Sequence, residues 1–437
     1  MAHKWSRFNL LFISPKYGFF VYNSRTSSFH KISEETYTIL RNIANGKENK
    51  ILELDNKLLT FLLENKIIVN EGDDYLYITK MEYLKRKRSF TSNDLSLIIA
   101  PTMSCNFKCP YCYEHDLPSI KMPQDVQNAI VRFINNYHNK CQSVSISWHG
   151  GEPLIAFNEV QSLIQKIENE SKLPISDHSI ITNGFLFDND VCDFFSNHNL
   201  DYIQITVDGE ENTHNKNRIH KQGIPTYKRI IENIDNILSK LPNTMVGVRM
   251  NIHNENKSEY YQHFKNLSNR WKNKNANVYP AFVIPQGGCF SSSCLTPNQK
   301  AQFYIDLHRC GMNVDFSPRM QLGTCSALYE TSFVIDAHGY LYKCWADVGI
   351  ANRAVGDVFN GITKWDFVAA YSIGSDKFTD PKCRECNIFP NCDGGCNRFR
   401  TEQQLCGSTY NICQIDEKGM QQYLEIMYEQ SLTKKQK

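Results

Sequence analysis

The chain has no apolar run of membrane-spanning length, so nothing in it predicts a transmembrane helix. Its first ten residues, Met1 to Leu10, lack the apolar core and small-residue cleavage site of a secretory signal. Neither sign of charge is in excess: 48 Lys and Arg stand against 46 Asp and Glu, a net charge of +2. That balance argues against a dedicated binder of nucleic acid or of a membrane surface. Internal repeats are absent, and the low-complexity sequence is confined to the polar tail Thr433–Lys437. What is left is ordinary globular composition, 41% hydrophobic and 22% charged, over 437 residues, enough for two or three domains. The expected setting is the reducing cytoplasm. The 16 cysteines are therefore read as metal ligands rather than disulfide partners.

The first cysteine group is Cys105, Cys109 and Cys112, a C-x3-C-x2-C run within Ser104–Glu114. Spacings of four and three would place the thiols on one face of a helix. Pro110 opposes a helix, because it removes an N–H and pushes Cys109 toward extended geometry. A loop wrapping an inorganic centre fits better, its N–H groups offsetting the charge on sulfur. Thiolates suit iron–sulfur clusters or zinc. A closed structural site takes four ligands, so three leave a metal position open for chemistry. The segment before the loop, Asp94–Pro101, reads as a buried strand.

Strand, three-thiol loop and Tyr111 before the last thiol resemble the radical S-adenosylmethionine (SAM) superfamily. The resemblance implies a 4Fe–4S cluster on Cys105, Cys109 and Cys112. The remaining iron would be chelated by the amino and carboxylate groups of SAM. From the loop alone, a structural zinc knuckle or buried thiols stay open as the alternative.

Residues 94–310 alternate strand and helix in six β/α units, predicting a parallel sheet with right-handed crossovers. Six units suit a partial (β/α)6 barrel, with ligands at the carboxyl ends of the strands. The candidate polar residues fall there. His149-Gly150-Gly151-Glu152 follows the second strand; its glycines allow close approach of a ligand and Glu152 offers a carboxylate to an ammonium group. Asn183 closes the third strand and Asp208-Gly209 follows the fourth. Alternation on the fifth strand turns Gly247, Arg249 and Asn251 toward the interior. In the resembled family the glycine–glycine–glutamate element holds the SAM amino group. The stretch Asp208-Gly209 followed by His214-x3-Arg218 looks like that of peptide- and sulfatase-modifying members, which implies Arg218 near the SAM carboxylate. Taken singly, each of these is an ordinary strand-end polar group; their joint placement makes the functional reading.

The C-terminal region is richest in thiols. Cys325 and Cys344 flank Phe333–Tyr342, which reads as a hairpin turning at Ala337-His338-Gly339. Beyond it come Cys383-x2-Cys386-x5-Cys392-x3-Cys396, then Cys406 and Cys413. A zinc ribbon is the alternative here, but eight thiols exceed what one zinc takes. The spacing resembles the SPASM extension of radical SAM enzymes, which carries two auxiliary 4Fe–4S clusters. That resemblance implies one cluster on Cys383, Cys386, Cys392 and Cys413, with Cys413 preferred to Cys406. The other would sit on Cys325, Cys344 and Cys396. Cys310, Cys294 or Cys289 would supply its fourth ligand, or an iron would stay open.

The first ninety residues predict strands at Phe8–Pro15, Gly18–Ser24 and Ser28–Ser33. Ser33 then caps a helix through Tyr37, Ile39, Leu40 and Ile43, and a second helix runs through Leu58–Leu63. A last strand is expected at Tyr75–Thr79, and Lys80–Arg88 as a solvated linker helix. This winged-helix-like order resembles peptide-recognition domains fused to enzymes that modify ribosomal peptides, which take a leader peptide as an added strand. A generic accessory or dimerisation domain is the competing reading.

The expected division is thus 1–90, a winged-helix-like peptide-recognition domain; 91–312, the radical SAM partial barrel; and 313–437, the SPASM auxiliary-cluster domain. The resemblance implies an enzyme that generates a 5′-deoxyadenosyl radical. The favoured reaction is a thioether or carbon–carbon crosslink in a ribosomal peptide. Formylglycine formation in a sulfatase is the runner-up, and a zinc-bound interaction protein the third reading. Implied partners are a precursor peptide and an electron donor such as flavodoxin or ferredoxin, with no nucleic acid and no membrane.

Overall fold

The computed structural model describes residues 3–112, 114, 119–284 and 293–435. They form two compact units that are not contiguous in sequence: 1–90 with 296–328 and 370–437, and 91–295 with 329–369. Residues 329–369, grouped by sequence with the cysteine-rich region, therefore belong to the unit that holds the parallel sheet. Among the described residues, no helix is long and apolar enough to cross a membrane.

In the first unit β1 (His3–Trp5), β2 (Asn9–Ser14), β3 (Gly18–Asn23), β4 (Ser28–Ile32) and β5 (Ile68–Asn70) make two small antiparallel sheets, β2-β3-β4 and β1-β5. Strand alternation gives the three-stranded sheet two apolar faces. Leu10, Phe12, Phe20 and Tyr22 pack with Ile388, Met420 and Leu424, while Val21 packs with Leu40, Ile43, Leu62 and Ile68. The amino-terminal ninety residues thus share one core with the end of the chain. The helix Glu34–Ala44 starts as expected: Thr36 N donates to Ser33 Oγ at 3.1 Å, with Glu34 and Glu35 in the first turn.

Two expectations in this unit are corrected. Tyr75–Thr79 is not a strand but lies inside an 18-residue helix, Asp73–Phe90. The alternation of Tyr75 and Tyr77 imitates a strand, yet the buried set Asp74, Ile78, Met81, Lys85 and Ser89 recurs at helical spacing. The basic run is not wholly solvated either. Lys85 is 2% exposed and its Nζ lies 2.8 Å from Asp376 Oδ2.

The second unit is built on β6 (Asp94–Ile99), β7 (Ser143–Trp148), β8 (Ile175–Thr182), β9 (Tyr202–Thr206), β10 (Met245–Ile252) and β11 (Ala276–Phe282), all parallel and adjacent in chain order. β12 (Ser332–Ile335) pairs parallel to β6, and β13 (Tyr340–Tyr342), β14 (Gly356–Asp357) and β15 (Gly361–Ile362) continue the sheet by antiparallel pairs. This is a mixed α/β fold around a mainly parallel sheet. The β12–β13 hairpin turns where the sequence implies, with Gly339 at φ +86° donating its N–H to Asp336 O at 2.9 Å. Alternate residues of the strands, among them Leu95, Leu97, Val144, Ile146, Ile203, Val246 and Val248, pack with Ile130, Ile134, Leu163, Ile164, Ile234 and Ile237 of the crossover helices. The helix after β11, Pro297–Arg309, falls in the other unit, where Ile305 packs with Phe316 and Ile426.

Candidate active site

The loop after β6 is held from three sides. Its own start is fixed by Thr102 Oγ1, which donates to Ile120 O at 2.6 Å and accepts from Ser104 N at 3.1 Å. Its middle is stitched to the segment after Arg218: Lys108 N donates to Ile219 O and Lys221 N to Asn106 O, both at 2.8 Å. Its third support is the two-glycine turn. A Cβ on Gly150 would stand 2.5 Å from Thr102 O, and one on Gly151 2.3 Å from Ser104 O. The glycines are required by the thiol loop itself, which lies directly on them. Glu152 N completes the contact by donating to Ser104 O at 2.8 Å.

The loop and the strand ends enclose a cavity of about 260 Å³. Cys105, Cys109 and Cys112 line it together with Tyr111, Gly150, Gly151, Asn183 and Arg218. The inward-facing Gln204, Thr206, Arg249 and Asn251 make its floor, and Phe282, Val283, Ile284 and Trp345 add apolar wall. Glu152 and Asp208, also expected as contacts, are buried beside the cavity and hydrogen-bonded to groups of the protein. Glu152 accepts from Thr182 Oγ1 and Asn183 N at 2.7 Å and from Leu154 N at 3.2 Å. Asp208 accepts from Asn251 N at 2.8 Å and from the Tyr111 hydroxyl, while its own N–H donates to His214 Nδ1 at 3.2 Å. The Tyr111 hydroxyl in turn accepts from Arg218 Nη1 and Asn251 Nδ2, both at 3.3 Å. The guanidinium of Arg218 lies over the Phe107 ring, 5.5 Å from its centre.

Burial sets the electrostatics. It pushes the Cys105 thiol up to about 12 and Cys112 to about 11, and raises Cys109 as well. Without a metal the loop is thus a set of protonated thiols, and a metal centre must displace those protons. Burial also pushes Glu114 up to about 7, and burial with the nearby Arg249 pulls His149 down to about 4. The 3.8 Å approach of His149 Nδ1 to Glu114 Oε1 is accordingly no ion pair, since that nitrogen accepts the Gly150 N–H at 2.6 Å. Sequence reasoning missed Glu114, and it missed Trp345, whose ring stacks on His149 at 5.8 Å and 4°. An aromatic residue immediately after Cys344 was the signal available.

Among the described residues, no three His, Cys, Asp or Glu side chains converge to hold a single metal ion. The three thiols instead border a cavity, next to polar groups that suit an amino-acid-like ligand, so the donor set fits a larger sulfur-ligated centre with a bound cofactor.

The model of the radical SAM superfamily matches residues 99–267. The chain carries a radical SAM domain. The match supports a SAM-dependent modifying enzyme that uses a 4Fe–4S cluster, rather than a zinc-bound interaction protein. The cysteine-type anaerobic sulfatase-maturating enzyme of Clostridium perfringens is 24% identical over 360 residues, covering 71% of this chain and 90% of the relative. The radical SAM cyclopropyl synthase TigE of Paramaledivibacter caminithermalis is 24% identical over 246 residues, half of each chain. Among solved structures, anSMEcpe with bound AdoMet and Kp18Cys peptide has a TM-score of 0.59 at 19% identity, over 78% of this chain and 98% of that one. Streptococcus suis SuiB bound to precursor peptide SuiA has a TM-score of 0.53 at 16% identity, over 94% and 100%.

The remaining cysteines divide. In the first unit Cys386 and Cys392 stand close to each other and to Cys413, which disfavours the thiolates of Cys386 and Cys392. Lys377 sits beside both Cys392 and Cys383, and so joins Cys383 to that group. Gly395, at φ +78°, lets the Cys413 segment approach: a Cβ there would lie 2.1 Å from Ile412 O. Cys325, Cys396 and Cys310 belong to this unit, whereas Cys344 and Cys294 belong to the other. Cys406 is exposed at the end of the helix Asn397–Cys406, and Cys289 lies outside the described residues.

Proposed function

We propose that the chain modifies a ribosomal precursor peptide, installing a thioether or carbon–carbon crosslink. When bound, the cluster and SAM supply a carbon-centred radical able to remove hydrogen from an unactivated carbon. Cys105, Cys109 and Cys112 hold the cluster. Gly150, Gly151, Asn183, Arg218 and Tyr111 shape the SAM pocket. Glu152 and Asp208 hold its walls through Thr182, Asn183, Asn251 and Tyr111. Arg218 offers its fork to a carboxylate, and the apolar wall of Phe282, Val283 and Trp345 excludes water from the reacting carbon. Cys383, Cys386, Cys392 and Cys413 hold one auxiliary cluster. An electron donor of the flavodoxin or ferredoxin kind supplies the reducing equivalent.

The observation that supports this reading is coverage. Likeness to SuiB, a structure solved with its precursor peptide, runs over 94% of this chain, against 78% for anSMEcpe. The amino-terminal sheet adds a physical route, since β4 is an edge strand whose outer side can take an extended leader. Residues 1–90 are in this reading a winged-helix-like peptide-recognition element beside a partial (β/α)6 barrel and a cysteine-rich auxiliary region. Sulfatase maturation is the second reading, favoured by the curated relatives, which include both cysteine-type and serine-type sulfatase-maturating enzymes.

One experiment separates them. Reduced, reconstituted protein with SAM is given a short precursor peptide or a sulfatase-derived peptide, and products are read by mass spectrometry. Loss of two hydrogens from the precursor supports crosslinking, an aldehyde on the sulfatase peptide supports the second reading, and no SAM consumption with either removes both.

A further inference from the structure

The Cys383 group is built around a buried cation that the cysteine motif does not contain. Arg400 is 5% exposed. Its Nη2 donates to Cys383 Sγ at 3.0 Å and its Nη1 to Asp380 Oδ2 at 2.5 Å. Nε and Nη2 both donate to Gly394 O, at 2.9 and 2.7 Å. Gly394 N in turn donates to Cys392 Sγ at 3.4 Å. One guanidinium therefore ties the first cysteine of the group to the turn that carries the third.

Two of the charged groups in this region are matched within the protein. Asp376 is matched by Lys85 and Asp380 by Arg400. Lys377, also buried, donates to the carbonyls of Gln321, Phe389 and Cys392 at 2.7, 2.8 and 2.7 Å, and Cys392, Asp393, Cys383 and Asp376 are the acidic groups that act on its charge. A buried cation is costly unless an anion faces it. The thiolates of a metal-loaded site would add to Asp393 and Asp376 as anions facing Lys377.

We propose that Arg400 is a positioning residue that raises the reduction potential of the iron–sulfur centre on Cys383, Cys386, Cys392 and Cys413; this rests on the reading of those cysteines given above. A cationic N–H held on a ligating sulfur favours the reduced centre, which carries one more negative charge than the oxidised one. Asp380 opposes that effect, so the pair sets the potential by the balance of a charge on sulfur and a charge one step further out.

The test uses full-length protein in which Cys105, Cys109 and Cys112 are all replaced by Ala, so that only auxiliary centres remain. Iron and sulfide are measured, and the reduced-centre EPR signal is followed in a dithionite redox titration. Arg400→Gln is expected to lower one midpoint so that the reduced-to-oxidised ratio at fixed potential falls about tenfold, which is about 59 mV for a one-electron couple. Arg400→Lys keeps the charge and is expected to shift it less. Asp380→Asn is expected to move the same midpoint upward; Asn still caps the helix Pro381–Arg384, whose Lys382 and Cys383 N–H groups Asp380 Oδ1 accepts at 2.8 and 3.3 Å. Opposite shifts exclude a merely structural role. If Arg400→Gln loses iron, the Asp380→Asn shift decides alone. Unmoved midpoints with full iron overturn the inference but leave the centre in place. A triple-alanine background without iron overturns the auxiliary-centre reading itself.

Discussion

Replacing Gly151 by Ala puts the support of the thiol loop to a quantitative test. The added Cβ would meet Ser104 O at 2.3 Å, Ser104 C at 2.5 Å and Met103 O at 2.6 Å. All three are backbone atoms, so no rotamer change relieves them. Restoring ordinary contact moves the loop by about 1 Å, and Cys105 is the next residue along it. Overpacking of this kind costs about 1–3 kcal/mol of stability. A displacement of about 1 Å at reacting groups costs about 100-fold in rate. The expected result is slower reductive SAM cleavage by about two orders of magnitude, read as 5′-deoxyadenosine formed per minute, with auxiliary iron unchanged. Gly223→Ala is the control. Gly223 sits at φ +73° in open space, so its substitution costs only the left-handed backbone strain. If Gly151→Ala keeps both its melting temperature and its cleavage rate, the claim that these glycines serve the loop is wrong.

Three further outcomes are expected. Tyr111→Phe removes a hydroxyl shared by Asp208, Arg218 and Asn251; leaving those buried groups short costs about 1–3 kcal/mol in urea unfolding and weakens SAM binding by calorimetry, and unchanged values in both would refute the hub. Lys85→Met leaves Asp376 uncompensated in the core and is expected to cost about 3–5 kcal/mol, much of it recovered in the double variant with Asp376→Leu; a double variant no better than the single one would show that the pair is not the cause. Burial holds His149 and His263 neutral, each pulled from 6.5 to about 4. Unfolding releases them, so between about pH 6.5 and pH 4 the unfolded chain binds more protons and stability falls as pH falls, by up to about 1.4 kcal/mol per unit per histidine. His263→Gln is expected to flatten that dependence in urea titrations across the window; an unaltered slope would contradict it.

The parallel strands were legible because each is a short apolar run followed by a helical pattern, and the β12–β13 hairpin because Gly339 marks its turn. The helix Asp73–Phe90 was not, because the local alternation around Tyr75 and Tyr77 masks a helical period that only becomes visible once Ile78, Met81, Lys85 and Ser89 are seen to share a buried face. Burial of Lys85 was equally hidden: its partner Asp376 lies almost three hundred residues away, and no local rule pairs them. The same long range explains the two-unit partition. Leu10 and Phe20 carry no mark that their partners are Ile388 and Leu424.

At the site, residue type was readable from the sequence and the protein's own hydrogen bonds were not. Glu152 and Asp208 follow their strands as a ligand-binding carboxylate should, and each also accepts hydrogen bonds from neighbouring strand ends and loop groups of the protein. A buried carboxylate that accepts several N–H and O–H bonds is a rigid part. It fixes Thr182, Asn183, Asn251 and Tyr111, and those are the groups left facing the cavity. The two glycines follow the same logic, being small because the thiol loop presses on them. Reactivity in this fold is thus concentrated in an outer layer of polar side chains and thiols, and the acidic residues that stand out in the sequence are the layer beneath, whose exchange for amides is expected to loosen the pocket before it removes any contact to a ligand.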